Sequence, residues 1–288
     1  METQVKAAKA VVDVDGSDVF ALVLVPQNLL DVEICGRTTQ QCIDNVIKGF
    51  ANRKVTIKKS DDIMSIIKSS VIDKKYCVVV YADTPLLTRE TIDQALSFTA
   101  SYGHKAAQMP RGWVFVTEHI KTCINIESVQ IPNLSDEDFI VAYNYNQLAL
   151  IGTYARARIN GAHMQKGVNI TDPYNVYIDA DVQIGTGTKI GPGVVLQGEC
   201  KIGRNCDIGA GVVFSTFDGS DKSSITLGDG VFIGANSNLV GPLEIGKNAY
   251  VAVGSTITQD IPANSFGMAR ARQAIRENWK PGQNTGNE

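Results

Sequence analysis

The sequence predicts two folds in one chain: a small α/β domain in the first half and a parallel β-helix in the second. In the first half, apolar β-branched runs alternate with helical segments. In the second half, aliphatic residues recur at every sixth position. The 288 residues are enough for two modest domains. We therefore expect an α/β domain over 1–134, a long linker helix over 135–166, a β-helix over 167–262 and a C-terminal tail over 263–288.

The first half contains the strands and helices of a small parallel sheet. Val19–Pro26 and Lys75–Asp83 are apolar runs of buried-strand length. Arg37–Phe50 and Thr88–Ser101 read as helices, the second opening at Thr88. Ligands of parallel sheets lie beyond the carboxyl ends of the strands. Asp83, which ends a predicted strand, is therefore a candidate site residue.

A long helix is predicted to follow, from Ser135 to about Lys166. Ser135 and the acidic residues Asp136, Glu137 and Asp138 have the chemistry of a helix N-terminus.

The second half is organised by a six-residue period. Neither a helix nor an ordinary strand gives this spacing, whereas a short strand followed by a tight turn does, with the aliphatic side chain pointing inward. Three such units make one triangular coil, so Ile184 should lie over Ile202 and Ile190 over Ile208. The leading residues of the units are Ile184, Ile190, Leu196, Ile202, Ile208, Phe214, Leu227, Ile233, Leu239, Ile245, Val251 and Ile257.

One insertion and one tail break this period. Seven extra residues between Phe214 and Leu227 form a loop over Ser215–Thr226, which is either a binding surface or a solvated turn. After Pro262 the repeat stops. The tail that follows is either a phosphate-binding segment or a solvated arm, and its basic residues are Arg270, Arg272, Arg276 and Lys280.

The composition disfavours several classes of partner. A formal net charge of −3 and the lack of a long basic run argue against nucleic acid and anionic membranes. No apolar run approaches the roughly 20 residues of a membrane span, and the first ten residues lack the apolar segment of a secretory signal, so we expect a cytoplasmic protein. Six scattered cysteines without a CxxC pair predict buried, reduced thiols.

The repeats resemble the left-handed β-helix of hexapeptide acyltransferases. From Ile208 through Trp279 the sequence is similar to the bifunctional family that joins glucosamine-1-phosphate acetyltransferase to N-acetylglucosamine-1-phosphate uridyltransferase. The resemblance implies a left-handed helix, a homotrimer and acetyl-coenzyme A bound between neighbouring β-helices. By the same match, Arg270, Ala252 and Ala235 are the candidate coenzyme-binding residues.

The family's loop motif, Asn-Tyr-Asp-Gly, corresponds here to Thr216, Phe217, Asp218 and Gly219. The two polar groups that serve acetyl transfer in the family are replaced, while Asp218 and Gly219 match the motif. The family's catalytic histidine has no counterpart either, because the histidines of this chain lie outside the repeats, at His104, His119 and His163. Asp218, or a carboxylate such as Asp207, is the remaining candidate base, and the alternative is a solvated loop acid.

The segment after Lys75 resembles the Tyr-Gly-Asp-x-Pro-Leu motif of the family's uridyltransferase domain. The resemblance implies Mg²⁺ at Asp83, with Asn144 as the best match for a second ligand. The alternative is a strand-end aspartate that begins a turn before Pro85. No Gly-rich, basic loop follows the first strand, as a triphosphate would require, and the first basic residue there is Arg37.

Three hypotheses follow. The first is transfer of acetyl from acetyl-coenzyme A to an amino sugar or related amine. The second is a non-catalytic trimeric scaffold or regulator, and the third a Mg²⁺-dependent sugar-1-phosphate nucleotidyltransferase. The matching coils, loop and tail favour acetyl transfer. The missing catalytic histidine and the replaced asparagine of the loop motif favour the scaffold.

Overall fold

We analysed a computed structural model that describes residues 12–29, 32–122, 127–217, 219–273 and 275. The chain divides into two compact units. The first comprises Met1–Gly161 with Ile178–Ala180, and the second Ala162–Tyr177 with Asp181–Glu288. No helix among the described residues is long and apolar enough to cross a membrane.

The first unit is a mixed six-stranded sheet with helices, in the strand order β4-β1-β5-β7-β6-β8. The pairs β4–β1 and β1–β5 are parallel, and β7 runs antiparallel to both β5 and β6. Its elements are β1 (Val19–Pro26), β2 (Glu33–Ile34), β3 (Arg37–Thr38), α1 (Thr39–Val46), β4 (Ala51–Ile57), α2 (Ile63–Ser70), β5 (Tyr76–Tyr81), α3 (Arg89–Tyr102), β6 (Ala106–Met109), β7 (Gly112–Val116), α4 (Thr117–Thr122), β8 (Val129–Gln130) and α5 (Tyr145–Gln165).

The predicted α/β class of this unit is confirmed, although the sheet is not wholly parallel as predicted, because β7 pairs antiparallel with β5 and β6. β1 has the predicted bounds, and its first six residues are buried, as expected of an inner strand. The Thr88 side chain caps α3 by accepting a hydrogen bond from the Thr91 amide, and Gly103 ends the helix in the left-handed conformation (φ 66°). The helix predicted from Arg37 begins two residues later, because Arg37 and Thr38 form β3.

The predicted linker helix begins later than Ser135. Residues Asp136–Phe139 form a short 3₁₀ helix, and α5 begins only at Tyr145. Asp138 is buried instead of lying on a helix surface, and its carboxylate accepts hydrogen bonds from Arg158 (2.7 Å) and from Thr91. Asn144 caps α5, its Oδ1 accepting the amide of Gln147 at 2.9 Å.

The second unit is a parallel β-helix of three sheets, in the orders β10-β13-β16-β19-β22, β11-β14-β17-β20 and β23-β21-β18-β15-β12-β9. The strand pairs whose register the structure describes in this unit are parallel. The strands are β9 (Asn169–Ile170), β10 (Tyr177–Ile178), β11 (Gln183–Ile184), β12 (Lys189–Ile190), β13 (Val195–Leu196), β14 (Glu199–Ile202), β15 (Asp207–Ile208), β16 (Val213–Ser215), β17 (Ser224–Leu227), β18 (Phe232–Ile233), β19 (Asn238–Val240), β20 (Leu243–Ile245), β21 (Tyr250–Val251), β22 (Thr256–Ile257) and β23 (Phe266–Gly267).

The register between coils is the one that the period predicts. Ile184 pairs with Ile202, and Ile190 pairs with Ile208. Phe214, which leads the third six-residue unit of its coil, is fully buried. Each coil therefore buries its aliphatic column only by stacking on its neighbours.

Four of the five described cysteines follow the prediction, while Cys42 is only partly buried. Cys35, Cys77, Cys200 and Cys206 are buried, and burial raises the pKa of the Cys77 thiol to about 12. Cys123 lies outside the described residues.

Candidate functional site

One corner of the β-helix is apolar and exposed. It follows strands β12, β15, β18, β21 and β23, and we call it the apolar corner. Its residues are Pro192, Ala210, Ala235 and Val253, each second after its strand, and Met268, directly after β23. Val253 is 50% exposed and Met268 59% exposed. The corner that follows β11, β14, β17 and β20 is instead largely polar and charged, and we call it the polar corner. Its residues are Thr186, Arg204, Asp229 and Lys247.

The coils approach each other closely at the apolar corner because glycines precede its residues. A Cβ added at Gly191, Gly209 or Gly234 would lie 2.7, 2.5 or 2.4 Å from an amide nitrogen of the next coil. Those nitrogens belong to Ala210, Ala235 and Val253 in turn. Glycine is therefore required for this spacing.

The apolar corner also presents backbone donors. The carbonyl groups of Ala210 and Ala235 accept the amides of Asn236 and Gly254. Within the part of the chain that the structure describes, however, the N–H groups of Ala210, Ala235 and Val253 have no hydrogen-bond acceptor. These donors lie on successive coils, about 4.8 Å apart along the axis. They form a row suited to the acceptors of an extended ligand.

At the polar corner, a side chain engages one of the corresponding amides. There the Asp229 carboxylate accepts the Arg204 amide at 2.7 Å and pairs with the Arg204 guanidinium at 3.1 Å. Hydrogen bonds from the Arg204 amide and guanidinium hold the pKa of Asp229 below its usual value.

The predicted coenzyme-binding residues lie at or beside the apolar corner. Ala235 is one of its members. Arg270 reaches it through a hydrogen bond from Nη1 to the Val253 carbonyl (3.2 Å), which places a positive charge at its C-terminal end. The backbone of Ala252 is already engaged, since its amide donates to Gly267 and its carbonyl accepts from Ser237. Val253, the next residue, supplies the open amide instead.

The inserted loop is shorter than predicted, because β16 extends through Ser215 and β17 begins at Ser224. Thr216 is buried, and its hydroxyl donates to the Gln197 carbonyl at 3.0 Å. The Phe217 side chain is 57% exposed. Gly219 has a positive φ of 106°, the conformation of a turn. Asp218, the candidate base, lies outside the described residues.

No histidine supplies a base in the described coils of the β-helix. His163 lies near the end of α5 and is 9% exposed. Burial, and secondarily the charge of Lys166, lower its pKa. Its Nδ1 atom has no hydrogen-bond partner within the described residues.

In the first unit, Asp83 lies two residues beyond the end of β5, which is shorter than the predicted strand Lys75–Asp83. Both of its carboxylate oxygens accept hydrogen bonds from Arg111, from Nε at 2.7 Å and from Nη2 at 2.5 Å. The guanidinium also stacks over Tyr81, 4.2 Å from the ring centroid. A bidentate ion pair therefore occupies the carboxylate.

This arrangement does not suit Mg²⁺. The Oδ1 atom of Asn144, the other predicted ligand, is committed to capping α5. Among the described residues, no group of three or more His, Cys, Asp or Glu side chains could hold a metal ion. The magnesium site remains a prediction that the geometry of Asp83 does not favour.

Comparison with known proteins agrees with the architecture. Residues 181–216 and 224–259 match the family described as bacterial transferase hexapeptide (six repeats). Bifunctional protein GlmU of Caldanaerobacter subterraneus is 28% identical over 59% of this chain and 56% of its own length. GlmU of Caldicellulosiruptor saccharolyticus is 40% identical over 45% of this chain and 27% of its own. Over these stretches the chain is similar to the GlmU proteins.

The first of these GlmU matches reaches little more than half of the relative's length. Solved structures with similar coils include a hexapeptide-repeat acetyltransferase from Vibrio cholerae (24% identity, TM-score 0.34, 42% of this chain and 82% of that one). Another is serine acetyltransferase isoform 3 from Entamoeba histolytica in complex with cysteine (25% identity, TM-score 0.32, 51% of this chain and 56% of that one). The fold class predicted for both halves, including the left-handed β-helix, is confirmed.

Sequence reasoning missed three residues of these sites. Ala210 and Val253 could have been found, because they stand two positions after the leading residues Ile208 and Val251, at the coil corner. The pairing of Arg111 with Asp83 carried no signal, since 28 residues separate them.

Proposed function

We propose that this protein binds acetyl-coenzyme A along the apolar corner and transfers its acetyl group to the amine of an amino sugar or a related small molecule. The observation that carries the proposal is the row of unpaired N–H groups at Ala210, Ala235 and Val253, which ends near the guanidinium of Arg270. The pantetheine arm of coenzyme A is an extended chain of methylenes and amides. Its carbonyls suit the N–H row, and its methylenes suit the exposed apolar side chains.

The charge at the end of the row supports one orientation of the coenzyme. Arg270 is the described cation that contacts the apolar corner. A guanidinium binds phosphate through several charge-assisted hydrogen bonds. The phosphates of coenzyme A therefore bind at the Arg270 end, and the thioester lies toward Ala210.

A homotrimer is part of this proposal. The apolar corner is a convex edge of one β-helix and offers a ligand only one wall. A second copy of the chain supplies the opposite wall and excludes water from the thioester. The relationship to the GlmU proteins supports such an assembly, and the mass in solution tests it.

The acceptor amine must lose a proton during the reaction. Within the β-helix the candidates are the carboxylates of Asp218 and Asp207. Asp207 stands on β15, directly before Ile208 and three residues before Ala210. The loop of Thr216, Phe217 and Gly219 offers an aromatic side chain and backbone groups to the acceptor in place of the polar groups that the family uses.

Calorimetric titration with acetyl-coenzyme A tests the binding step. The wild type is expected to bind in the micromolar range. Arg270→Ala is expected to weaken binding at least tenfold by removing a charge-assisted phosphate contact of about 1.5–3 kcal/mol. Arg272→Ala is the matched control, because it removes an exposed arginine of the same tail. No heat from the wild type, or equal loss in both variants, contradicts the proposal.

Release of free thiol from acetyl-coenzyme A, in the presence of amino sugars, separates an enzyme from a scaffold. Acceptor-dependent thiol release supports acetyl transfer. A non-catalytic trimeric scaffold is the second candidate function, because Thr216 is committed to Gln197 and no histidine lies in the coils. Coenzyme binding without turnover over a panel of amino sugars supports this second function.

The first unit carries the third candidate, a Mg²⁺-dependent nucleotidyltransferase. Its support is the position of Asp83 at the end of β5 and the resemblance of the surrounding motif. The Arg111 ion pair weighs against it, and we propose that this site is degenerate. Calorimetry with UTP and Mg²⁺ tests it, and binding that is lost on Asp83→Asn would restore the nucleotidyltransferase.

A further inference from the structure

Three aromatic side chains form a stacked row on the outer face of the β-helix. Phe232, Tyr250 and Phe266 are each the first residue of a strand, and they pair in register across β18, β21 and β23. The ring centroids of Phe232 and Tyr250 are 4.2 Å apart with an interplanar angle of 11°. Those of Tyr250 and Phe266 are 5.8 Å apart at 23°. We call this row the aromatic ladder.

The aromatic ladder is open at one end. On one side Phe232 pairs with Asp207, so no ring continues the row there. On the other side β23 is the last strand of its sheet among the described residues. One face of the Phe266 ring is therefore turned to Tyr250, while nothing in the ladder covers the other, and the side chain is 62% exposed.

The open end lies at the same coil as the positive end of the apolar corner. Gly267 and Met268 directly follow Phe266, and the amide of Ala252 donates to Gly267. Arg270 follows two residues after Met268 and contacts the Val253 carbonyl. An exposed ring face and a guanidinium, four residues apart in the sequence, therefore both lie on the last described coil, where the row of amides ends.

Building on the proposed function, we propose that the open face of Phe266 stacks the adenine of coenzyme A while Arg270 binds its phosphates. Adenine is a planar π-system and continues a ladder of near-parallel rings. The base and the phosphates belong to one nucleotide, which suits an aromatic ring beside a cation. Phe266 thereby selects a nucleotide-bearing thioester over a phosphopantetheine thioester of a carrier protein, which has no adenine.

Calorimetry with two donors tests this selection. The probes are acetyl-coenzyme A and S-acetyl-4′-phosphopantetheine, which share the thioester and the pantetheine arm. Base stacking on an aromatic side chain is worth about 1–3 kcal/mol, so the wild type prefers acetyl-coenzyme A by about tenfold or more. Phe266→Leu keeps an apolar side chain and removes the ring. It is expected to lower the preference by about tenfold, leaving the part that comes from the phosphates missing in the smaller probe, while Phe266→Trp retains the full preference.

Tyr174→Leu is the matched control, since it removes another exposed aromatic ring (81%) from the same unit and should leave the preference unchanged. Equal binding of both donors by the wild type, or an undiminished preference in Phe266→Leu, overturns the stacking proposal and leaves coenzyme binding intact. Binding of neither donor contradicts the proposed function instead. Titration with adenosine 3′,5′-bisphosphate then decides the stacking proposal alone, which stands only if Phe266→Leu weakens that binding.

The mass of Phe266→Leu in solution completes the test. An unchanged mass is expected, because the ring faces a ligand. A smaller assembly identifies Phe266 as a contact between copies of the chain and overturns the stacking proposal.

Discussion

Gly234→Ala perturbs the apolar corner at a single defined point. The new Cβ would lie 2.4 Å from the Val253 nitrogen and 2.7 Å from its Cα. Carbon and nitrogen atoms come into ordinary contact near 3.4 Å, so the two coils must separate locally by about 1 Å. The φ of Gly234 is not in the left-handed region, so alanine itself adopts this backbone without strain. The effect is steric and falls on the Val253 amide.

Two consequences follow from this displacement. Overpacking of a tightly packed core costs about 1–3 kcal/mol, so the free energy of unfolding should fall by that amount. A hydrogen bond from the displaced amide to the coenzyme contributes about 1–1.5 kcal/mol, so its loss weakens acetyl-coenzyme A binding by about tenfold.

Gly246→Ala is the matched control. Its Cβ would lie 2.4 Å from the Ala263 nitrogen, the same clash at the polar corner. Urea denaturation should show similar destabilisation of both variants, whereas calorimetry should show weakened coenzyme binding only in Gly234→Ala. Equal loss of affinity in both variants, or normal affinity in Gly234→Ala, would refute the assignment of the coenzyme to the apolar corner.

Three further predictions concern the rest of the molecule. Arg111→Met leaves the buried Asp83 carboxylate unpaired and should lower the free energy of unfolding by about 2–4 kcal/mol, after allowing for the partial exposure of Arg111; a negligible loss, or stabilisation of the wild type by Mg²⁺, would reinstate a metal at Asp83. Burial lowers the pKa of His163, so the unfolded chain binds the proton more tightly. The free energy of unfolding is therefore highest above about pH 6.5 and declines as the pH falls toward the pKa of His163 in the folded protein. Melting temperatures measured between pH 8 and 5 should show this decline in the wild type and lose it in His163→Gln. An unchanged pH dependence in the variant contradicts the assignment of the decline to His163. Phe214→Ala should lower the free energy of unfolding, measured by urea denaturation, by about 3–5 kcal/mol, because the ring is fully buried between coils. A loss below about 1 kcal/mol is incompatible with that packing.

The coils could be predicted because one physical requirement repeats along the chain. Each leading residue, such as Ile190, must point inward and lie over its counterpart, here Ile208. Local sequence also predicted the beginning of α3, since the Thr88 hydroxyl binds an amide three residues away. In both cases the determining interaction is local or recurs at a fixed interval.

Other features depend on contacts that sequence does not specify. The acidic run after Ser135 resembles a helix N-terminus, yet burial of Asp138 against Arg158 keeps it in a 3₁₀ turn and delays α5. The Arg111 ion pair is likewise a tertiary contact. The aromatic ladder could have been predicted in part from the sequence, since Phe232 and Tyr250 are 18 residues apart, the length of one coil.

The most direct measurement is a crystal structure of the protein with acetyl-coenzyme A. We predict pantetheine carbonyl oxygens within hydrogen-bond distance of the Ala235 and Val253 amides, and phosphate oxygens on Arg270. Coenzyme bound at another surface, or no bound coenzyme at millimolar concentration, would contradict this account.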